Sequence, residues 1–121
     1  MTKYRSLKTE VDGIVFDSRK EAHYYLIYKS KQEAGEISNL RMQVPYELIP
    51  AVYRDVEKQL KTKTKIITKC IQRPVSYVAD FVFTDNTGKE HIVDVKGFRT
   101  KEYKLKKKMM LAFNGIEIEE V

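Results

Sequence analysis

The chain has 121 residues, of which 42% are hydrophobic and 33% are charged, a balance that fits one globular domain and excludes a second domain of ordinary size. The start lacks the apolar run of a signal peptide, and no apolar stretch is long enough to cross a bilayer, so we expect a cytoplasmic protein without membrane contact. With 23 basic and 17 acidic residues the net charge is +6, which favours a polyanionic partner, although a solvated lysine surface would give the same excess.

The first predicted elements are short. Residues 1–11 are polar and basic, which indicates a loose arm or a short strand. We therefore treat residues 1–12 as an N-terminal arm of a single domain that covers residues 1–121. The pair Asp12-Gly13 predicts a turn, and Ile14-Val15-Phe16 after it predicts a short apolar strand.

A helix is predicted over residues 19–34. Ser18 with Glu21 three residues later has the spacing of a capping box, in which the serine accepts from the backbone at the third helical position. Gly35 follows where a left-handed residue is favoured at a helix end. One face of this helix is marked by Ala22, Tyr25, Leu26 and Lys29.

Extended chain is predicted for much of the centre. Residues 37–50 look extended, with a proline-bounded strand over residues 44–50. Residues 65–71 are rich in β-branched side chains and predict a strand, whereas residues 52–60 fit a strand, a helix or a loop. The single cysteine, Cys70, cannot form an internal disulfide and is expected to be a small core or edge residue.

A β-hairpin is the most informative feature of the sequence. Asn86-Thr87-Gly88 suits a three-residue loop with glycine at its left-handed position. That loop sets Asp85 opposite Lys89 and, counting back along both strands, Asp80 opposite Asp94. The predicted core face carries the apolar set Val75, Tyr77, Ala79, Phe81, Phe83, His91, Val93 and Val95.

Asp80, Asp94 and Lys96 are predicted to share the other face of this hairpin. Like charges directly opposite each other on a sheet are unfavourable, and a cation between them would remove the penalty. Carboxylate oxygens suit Mg²⁺ or Mn²⁺. A surface ion pair of Asp94 with Lys96 is the simpler alternative, but it leaves Asp80 unexplained.

A second helix is predicted from Thr100, its N-cap, to Asn114-Gly115, its end. Its predicted apolar stripe consists of Leu105, Met109, Ala112 and Phe113. Lysines on this helix and on the central segment are candidate DNA contacts, namely Lys61, Lys63, Lys65, Lys101, Lys104 and Lys108. Residues 116–121 alternate as a terminal strand, so the element order predicts an α+β fold with helices on a mixed sheet.

Several segments together resemble a known enzyme superfamily. They are Phe16-Asp17-Ser18-Arg19-Lys20-Glu21-Ala22, Gly35-Glu36-Ile37-Ser38-Asn39-Leu40, Tyr77-Val78-Ala79-Asp80-Phe81, Asp94-Val95-Lys96-Gly97 and the lysine-rich second helix. This pattern resembles the PD-(D/E)XK nucleases, and more closely a family of small phage proteins similar to RecU-type Holliday-junction resolvases. Ala79 replaces the proline of the motif, and the likeness is weakest over residues 51–73.

The resemblance implies a fold and a site. The fold would be a restriction-endonuclease-like core, a mixed sheet flanked by two main helices in the order helix, strands, helix, strand. The implied catalytic residues are Glu21, Asp80, Asp94 and Lys96, and the implied ligands of Mg²⁺ or Mn²⁺ are Asp80, Asp94, the main-chain carbonyl of Val95, and Glu21. Gln43 is a further candidate, since related resolvases carry a glutamine near the site. The capping box offers Glu21 a structural role instead.

The function implied is metal-dependent endodeoxyribonuclease activity. The family likeness implies branched DNA such as a four-way junction, a homodimer, and the host-cell cytoplasm if the gene belongs to a phage. A transposase-like end-cleaving subunit is an alternative of the same class. The alternatives from other classes are a noncatalytic DNA-binding or replication accessory protein on this scaffold, and an interaction module whose lysines serve solubility.

Overall fold

The structure is a computed structural model that describes residues 7–96 and 98–121. Residues 1–6 of the predicted arm, and Gly97 of the hairpin motif, lie outside the described residues. The helices are α1 (Arg19–Glu33) and α2 (Lys101–Asn114). The strands are β1 (Thr9–Val11), β2 (Ile14–Phe16), β3 (Ile37–Ile49), β4 (Val52–Gln59), β5 (Thr64–Gln72), β6 (Val75–Asp85), β7 (Glu90–Asp94) and β8 (Glu119–Glu120).

The central sheet has four strands in the order β3-β6-β7-β8. The first three strands are antiparallel and β8 pairs parallel to β7, so the sheet is mixed and the predicted α+β class is confirmed. β3 is an edge strand, which explains how it tolerates Pro45, because proline cannot donate to a neighbouring strand. The strands β1 and β2 form one small antiparallel pair, and β4 and β5 form another.

Short-range signals located both helices and the short N-terminal strands. Ser18 Oγ accepts from the backbone N–H of Glu21 at 3.1 Å, and Thr100 Oγ1 accepts from that of Tyr103 at 3.1 Å. The predicted strand at Ile14–Phe16 is β2, and Thr9–Val11 pairs with it, so this part of the N-terminal segment is a strand and not a loose arm. No helix within the described ranges is long and apolar enough to span a membrane.

The hairpin of β6 and β7 has the predicted register. Asp85 and Lys89 close the loop through a backbone hydrogen bond of 2.9 Å, and Gly88 has a φ of +89°, where an L-residue would be strained. Along the strands Phe81 faces Val93. The turn chemistry alone therefore fixed which residues meet across this hairpin.

The sheet is covered on both faces, which corrects the prediction of one core face. On one side α1 packs over a cluster of Phe16, Ala22, Tyr25, Tyr28, Ile37, Phe81, Phe83 and Val93. On the other side α2 packs over Leu48, Tyr77, Ala79, Val82, Ile92, Tyr103, Met110 and Ile118. Val75, Tyr77 and Ala79 thus belong to the α2 side and not to the side of Phe81.

The switch of faces occurs at Asp80. Residues 79 and 81 would share a face in a regular strand, yet they belong to different clusters. Gln43, which lies opposite Asp80 between the pairs Met42–Phe81 and Val44–Ala79, has a left-handed φ of +52°. Gln43 and Asp80 do not pair although the pairs on either side of them do, so the alternation predicted from sequence fails there.

Two predicted helix faces were wrong in part. On α1, Leu26 is 47% exposed, while Tyr28 is buried against Phe81 and Phe83. On α2, Leu105 is 54% and Phe113 is 59% exposed. The sheet instead receives Tyr103 and Met110, which lie two turns apart on another face of that helix.

The central segment forms an exposed two-stranded ribbon. The predicted strand over residues 65–71 is confirmed as part of β5, and the segment left open between strand, helix and loop is β4. Every residue of the two strands is exposed except Val56 and Ile67, which are half-buried. Cys70 is exposed on this ribbon and is not a core residue.

Candidate active site

Asp80 and Lys96 meet Asp94 at the point where β6 and β7 separate. Asp94 is 3% exposed, and its Oδ1 lies 2.7 Å from the Lys96 Nζ. The backbone N–H of Val95 donates to Asp80 Oδ2 at 2.8 Å. The three predicted side chains line one open cavity of about 260 Å³. The structure therefore brings these three side chains together in space.

The C-terminal residue fixes the backbone around the cluster. Val121 donates to the carbonyl of Asp94 at 3.0 Å and accepts from the N–H of Lys96 at 3.1 Å. Val95 lies between these two bonded residues and donates its own N–H to Asp80 instead.

Glu21 and Gln43 complete the carboxylate side of the site. Glu21 lies in the first turn of α1 and is 6% exposed. Gln43 Nε2 donates to Glu21 Oε1 at 2.9 Å and lies 3.5 Å from Asp80 Oδ1. One amide therefore joins two of the three carboxylates. The left-handed backbone of Gln43 is the kind of local strain that collects at functional sites.

Three further residues contact the cluster and were missed from sequence. The Tyr77 hydroxyl donates to Asp94 Oδ2 within the protein interior. The ring of Tyr103 lies beneath Lys96, with 3.8 Å between Nζ and the ring centroid. Lys20 Nζ donates to the carbonyl of Lys96 at 2.9 Å. Tyr77 was predicted only on the core face, and no spacing in the sequence signals that Tyr77 or Tyr103 reaches the site.

Residues 1–119 match the model of a family described as a protein of unknown function, DUF1064. The chain belongs to the DUF1064 family. The matched segment includes every residue of the cluster described above except Val121. Searches of curated proteins and of solved structures found no match to the chain.

Two carboxylates of the DUF1064 site, Asp80 and Glu21, are in surroundings that disfavour their ionised form. Burial raises the pKa of Asp80 to about 7; the Val95 N–H opposes this shift, while the charges of Asp94 and Glu21 add to it. Burial likewise raises the pKa of Glu21, with a smaller contribution from the charge of Asp17. Three acidic side chains thus share a poorly hydrated site in which Lys96 is the ammonium group that pairs with one of them.

The donor set fits a hard divalent cation. Asp94 Oδ1 is shielded from solvent and, among the described residues, is paired with the Lys96 ammonium group at 2.7 Å. Within residues 7–96 and 98–121 no three His, Cys, Asp or Glu side chains close on one point as a preformed metal cage. Mg²⁺ does not need such a cage, since it takes one or two carboxylates and keeps waters or substrate phosphate oxygens.

The predicted DNA-contacting lysines lie on two separate elements of this DUF1064 chain. Lys61, Lys63 and Lys65 are exposed at the loop and first residues of the β4–β5 ribbon. Lys101, Lys104 and Lys108 are exposed along α2, the helix whose Tyr103 lies beneath Lys96. The six side chains therefore fall into two groups of three, one on the ribbon and one on α2.

Proposed function

We propose that this DUF1064 chain is a metal-dependent endodeoxyribonuclease that hydrolyses phosphodiester bonds in DNA on a restriction-endonuclease-like core. The observation that carries the proposal is the convergence of Glu21, Asp80 and Asp94 with Lys96 at the point where two neighbouring strands separate. A noncatalytic DNA-binding protein has no use for buried carboxylates that repel both one another and the phosphate backbone.

The residues divide into a cation-holding set and a set that manages the nucleophile. Asp80, Asp94 and the carbonyl of Val95 would hold Mg²⁺ or Mn²⁺, with Glu21 beside them. When bound, such an ion lowers the pKa of water and stabilises charge on the phosphate oxygens.

Lys96 supplies the protein's own positive charge. Asp94 fixes its ammonium group at 2.7 Å, and the Tyr103 ring supports it from below. A lysine held in this way can orient the attacking water and offset the charge that grows on the pentacoordinate phosphorus. Gln43, bonded to Glu21 and close to Asp80, would keep the two carboxylates at a fixed separation.

The substrate within this class is proposed to be branched DNA, such as a four-way junction, cut by a homodimer. This refinement rests on the resemblance to RecU-type resolvases, since opposed cuts in two strands require two sites. A transposase-like end-cleaving subunit would use the same residues on a different DNA structure. Comparison of DNA substrates separates the two.

The test is a cleavage assay on supercoiled, linear and four-way-junction DNA, each with Mg²⁺, with Mn²⁺ and with a chelator. The wild type should cut in the presence of either ion and not in the chelator. Asp80→Asn, Asp94→Asn and Lys96→Met should each lose about 100-fold or more of the rate. The matched controls Glu36→Gln and Lys89→Met alter exposed charges outside the cluster and should cut as the wild type does.

Three results would refute the proposal. Full cleavage activity of Asp94→Asn would show that this cluster is not the catalytic site. Binding of DNA without cleavage by the wild type under every ion condition would favour a noncatalytic DNA-binding protein. Absence of any DNA affinity at low salt would favour an interaction module whose lysines serve solubility.

A further inference from the structure

The β4–β5 ribbon separates its charges by face. In its register Arg54 faces Lys69, and Lys58 faces Lys65, with Val56 facing Ile67 between the two pairs. Directly opposed residues share a face, and residues two apart along a strand do as well. One face of the ribbon therefore carries four cations around a small apolar centre. We call it the basic face.

The opposite face has a different composition. Asp55 accepts a hydrogen bond from Thr68 Oγ1 at 2.8 Å, and Gln59 accepts one from Thr64 Oγ1 at 3.2 Å. Two of the cross-strand pairs on this face are thus hydrogen-bonded within the ribbon. Both acidic residues of the two strands, Asp55 and Glu57, lie here and leave the basic face without a counter-charge on the ribbon.

The pairing on the basic face does not serve the stability of the ribbon. Like charges placed directly opposite each other destabilise a strand pair, and two such pairs lie on this face, one on each side of Val56 and Ile67. None of Arg54, Lys58, Lys65 and Lys69 has an ion-pair partner among the described residues. A partner that brings negative charge to this face would turn two repulsive pairs into binding groups.

We propose that the basic face of the β4–β5 ribbon is a docking surface for double-stranded DNA, with the two strands lying in the major groove and the four cations on flanking phosphates. The partner class rests on the proposed function. The shape supports the choice, because the major groove, about 12 Å wide, admits a two-stranded β-ribbon. The two cation pairs are four residues apart, which places them about 13 Å from each other along the ribbon.

The ribbon is continuous with the strands that carry the candidate site. β3, which holds Gln43, runs into β4, and β5 runs into β6, which holds Asp80. At the ribbon base Gln72 Nε2 donates to the carbonyl of Pro50 at 3.2 Å, and Ile49 pairs with Val75. The base lies five residues before Asp80, about 16 Å along β6, so one duplex is long enough to contact both.

The test measures binding in a chelator, so that it does not depend on cleavage. Lys58→Gln/Lys65→Gln removes one opposed pair, and Lys31→Gln/Lys89→Gln removes the same charge from exposed positions outside the ribbon. The first variant should lose about 10-fold or more in duplex affinity and reduce the slope of log affinity against log salt by about 2. The second variant should keep the wild-type slope. Lys58→Arg/Lys65→Arg keeps both charges and should bind as the wild type does.

Two controls make the result specific. The thermal midpoint of Lys58→Gln/Lys65→Gln should equal or exceed that of the wild type, because a repulsive pair has been removed. If the glutamine variant does not fold, the arginine variant still provides a folded protein with both positions changed. Single-stranded DNA of the same sequence, and polyglutamate as an acidic polypeptide, should show a smaller difference between wild type and variant than the duplex does.

Equal losses in the ribbon variant and the matched control, or an equal effect on duplex and on either alternative polyanion, would overturn the docking surface. The proposed hydrolysis fails separately. If the ribbon variant loses binding but the wild type never cuts DNA, the docking surface is supported and the nuclease activity is refuted. If the wild type cuts DNA and the ribbon variant binds as the wild type does, the nuclease activity is supported and the docking surface is refuted.

Discussion

Val95 donates its backbone N–H to Asp80 Oδ2 at 2.8 Å, which links the strand that carries Asp94 and Lys96 to the carboxylate on the neighbouring strand. The bond favours the ionised form of Asp80, yet burial outweighs it and raises the pKa of this group to about 7. The site is therefore built to hold an unfavourable negative charge in place, which is a property expected of a cation site.

Asp80→Asn should stabilise the chain while it abolishes cleavage. The amide keeps an oxygen that can accept from Val95 but removes one of the converging charges. Since the folded-state pKa of Asp80 is raised from 3.8 to about 7, its ionisation opposes folding, fully above the folded value and not at all below the unfolded one. The free energy of unfolding in chelator should rise by about 1 kcal/mol or more near pH 8, and this gain should shrink as the pH falls from 7 towards 4.

Urea unfolding of the wild type and of Asp80→Asn, near pH 8 and near pH 4, measures this gain in the free energy of unfolding. Added Mg²⁺ should narrow the gap, because an ion that binds the folded wild type stabilises it by mass action. An Asp80→Asn variant less stable than the wild type near pH 8 would show that the carboxylate is a structural group.

Ser18→Ala and Glu21→Gln should separate the helix cap from the site. The Ser18 hydroxyl caps α1, so its loss should lower the free energy of unfolding by about 1 kcal/mol and leave the cleavage rate per folded molecule unchanged. The Glu21 carboxylate accepts from Gln43 and from the backbone of Asp17, and an amide can still accept from both, so Glu21→Gln should retain stability and lose about 10-fold or more of the rate. Denaturation and cleavage measured on both variants decide the matter. A large stability loss in Glu21→Gln with normal cleavage would return this residue to a capping role.

Local chemistry explains what the sequence could predict. The loop Asn86-Thr87-Gly88 fixes the hairpin register by itself, and the caps Ser18 and Thr100 fix where the helices begin. The grouping of Asp80 with Asp94 follows from that register, since only thirteen residues separate them around one turn. Each of these features depends on residues close in sequence, where single-residue preferences are decisive.

Long-range packing explains what was missed. The left-handed Gln43 lies on β3, far from β6 in sequence, yet it accompanies the change of face at Asp80 that places Tyr77 beside Asp94. On α2 the apolar stripe of Leu105 and Phe113 is exposed because the helix turns Tyr103 and Met110 to the sheet. Periodicity identifies an apolar stripe but not which stripe the tertiary structure buries.

Tyr77→Phe should weaken the site through Asp94. The hydroxyl donates to a buried carboxylate, so its removal should cost about 1–2 kcal/mol of stability and about 10-fold or more in Mg²⁺ affinity or cleavage rate. Tyr103→Phe is the matched control, because its hydroxyl donates to Glu120 at 2.8 Å while its ring stays beneath Lys96. Mg²⁺ titration of cleavage, with urea unfolding on both variants, checks the prediction. Equal losses of Mg²⁺ affinity in the two variants would contradict a specific role for Tyr77.

His91 should give the chain a pH-dependent stability that does not involve the site. Its Nε2 lies 2.7 Å from Asp85 Oδ2 and its Nδ1 lies 2.7 Å from Glu119 Oε2, so the ring joins the hairpin loop to β8. The hydrogen bond with Asp85 is the largest cause that raises the pKa of His91, and burial opposes it. Because the folded-state pKa is raised, the stabilisation is fully present below the unfolded value and is lost as the pH rises through the folded value.

His91→Gln should therefore lower the free energy of unfolding most at about pH 5.5, by about 1–2 kcal/mol, and less at about pH 9, because the charge-dependent stabilisation is lost as the pH rises through the folded-state pKa of the ring. His23→Gln replaces an exposed histidine on α1 and is the matched control. Urea unfolding across this pH range, in chelator, measures both. A loss in His91→Gln that is equal at both ends of the range would mean that the ring stabilises the hairpin only by stacking on Phe83, 5.1 Å between centroids, and not through its charge.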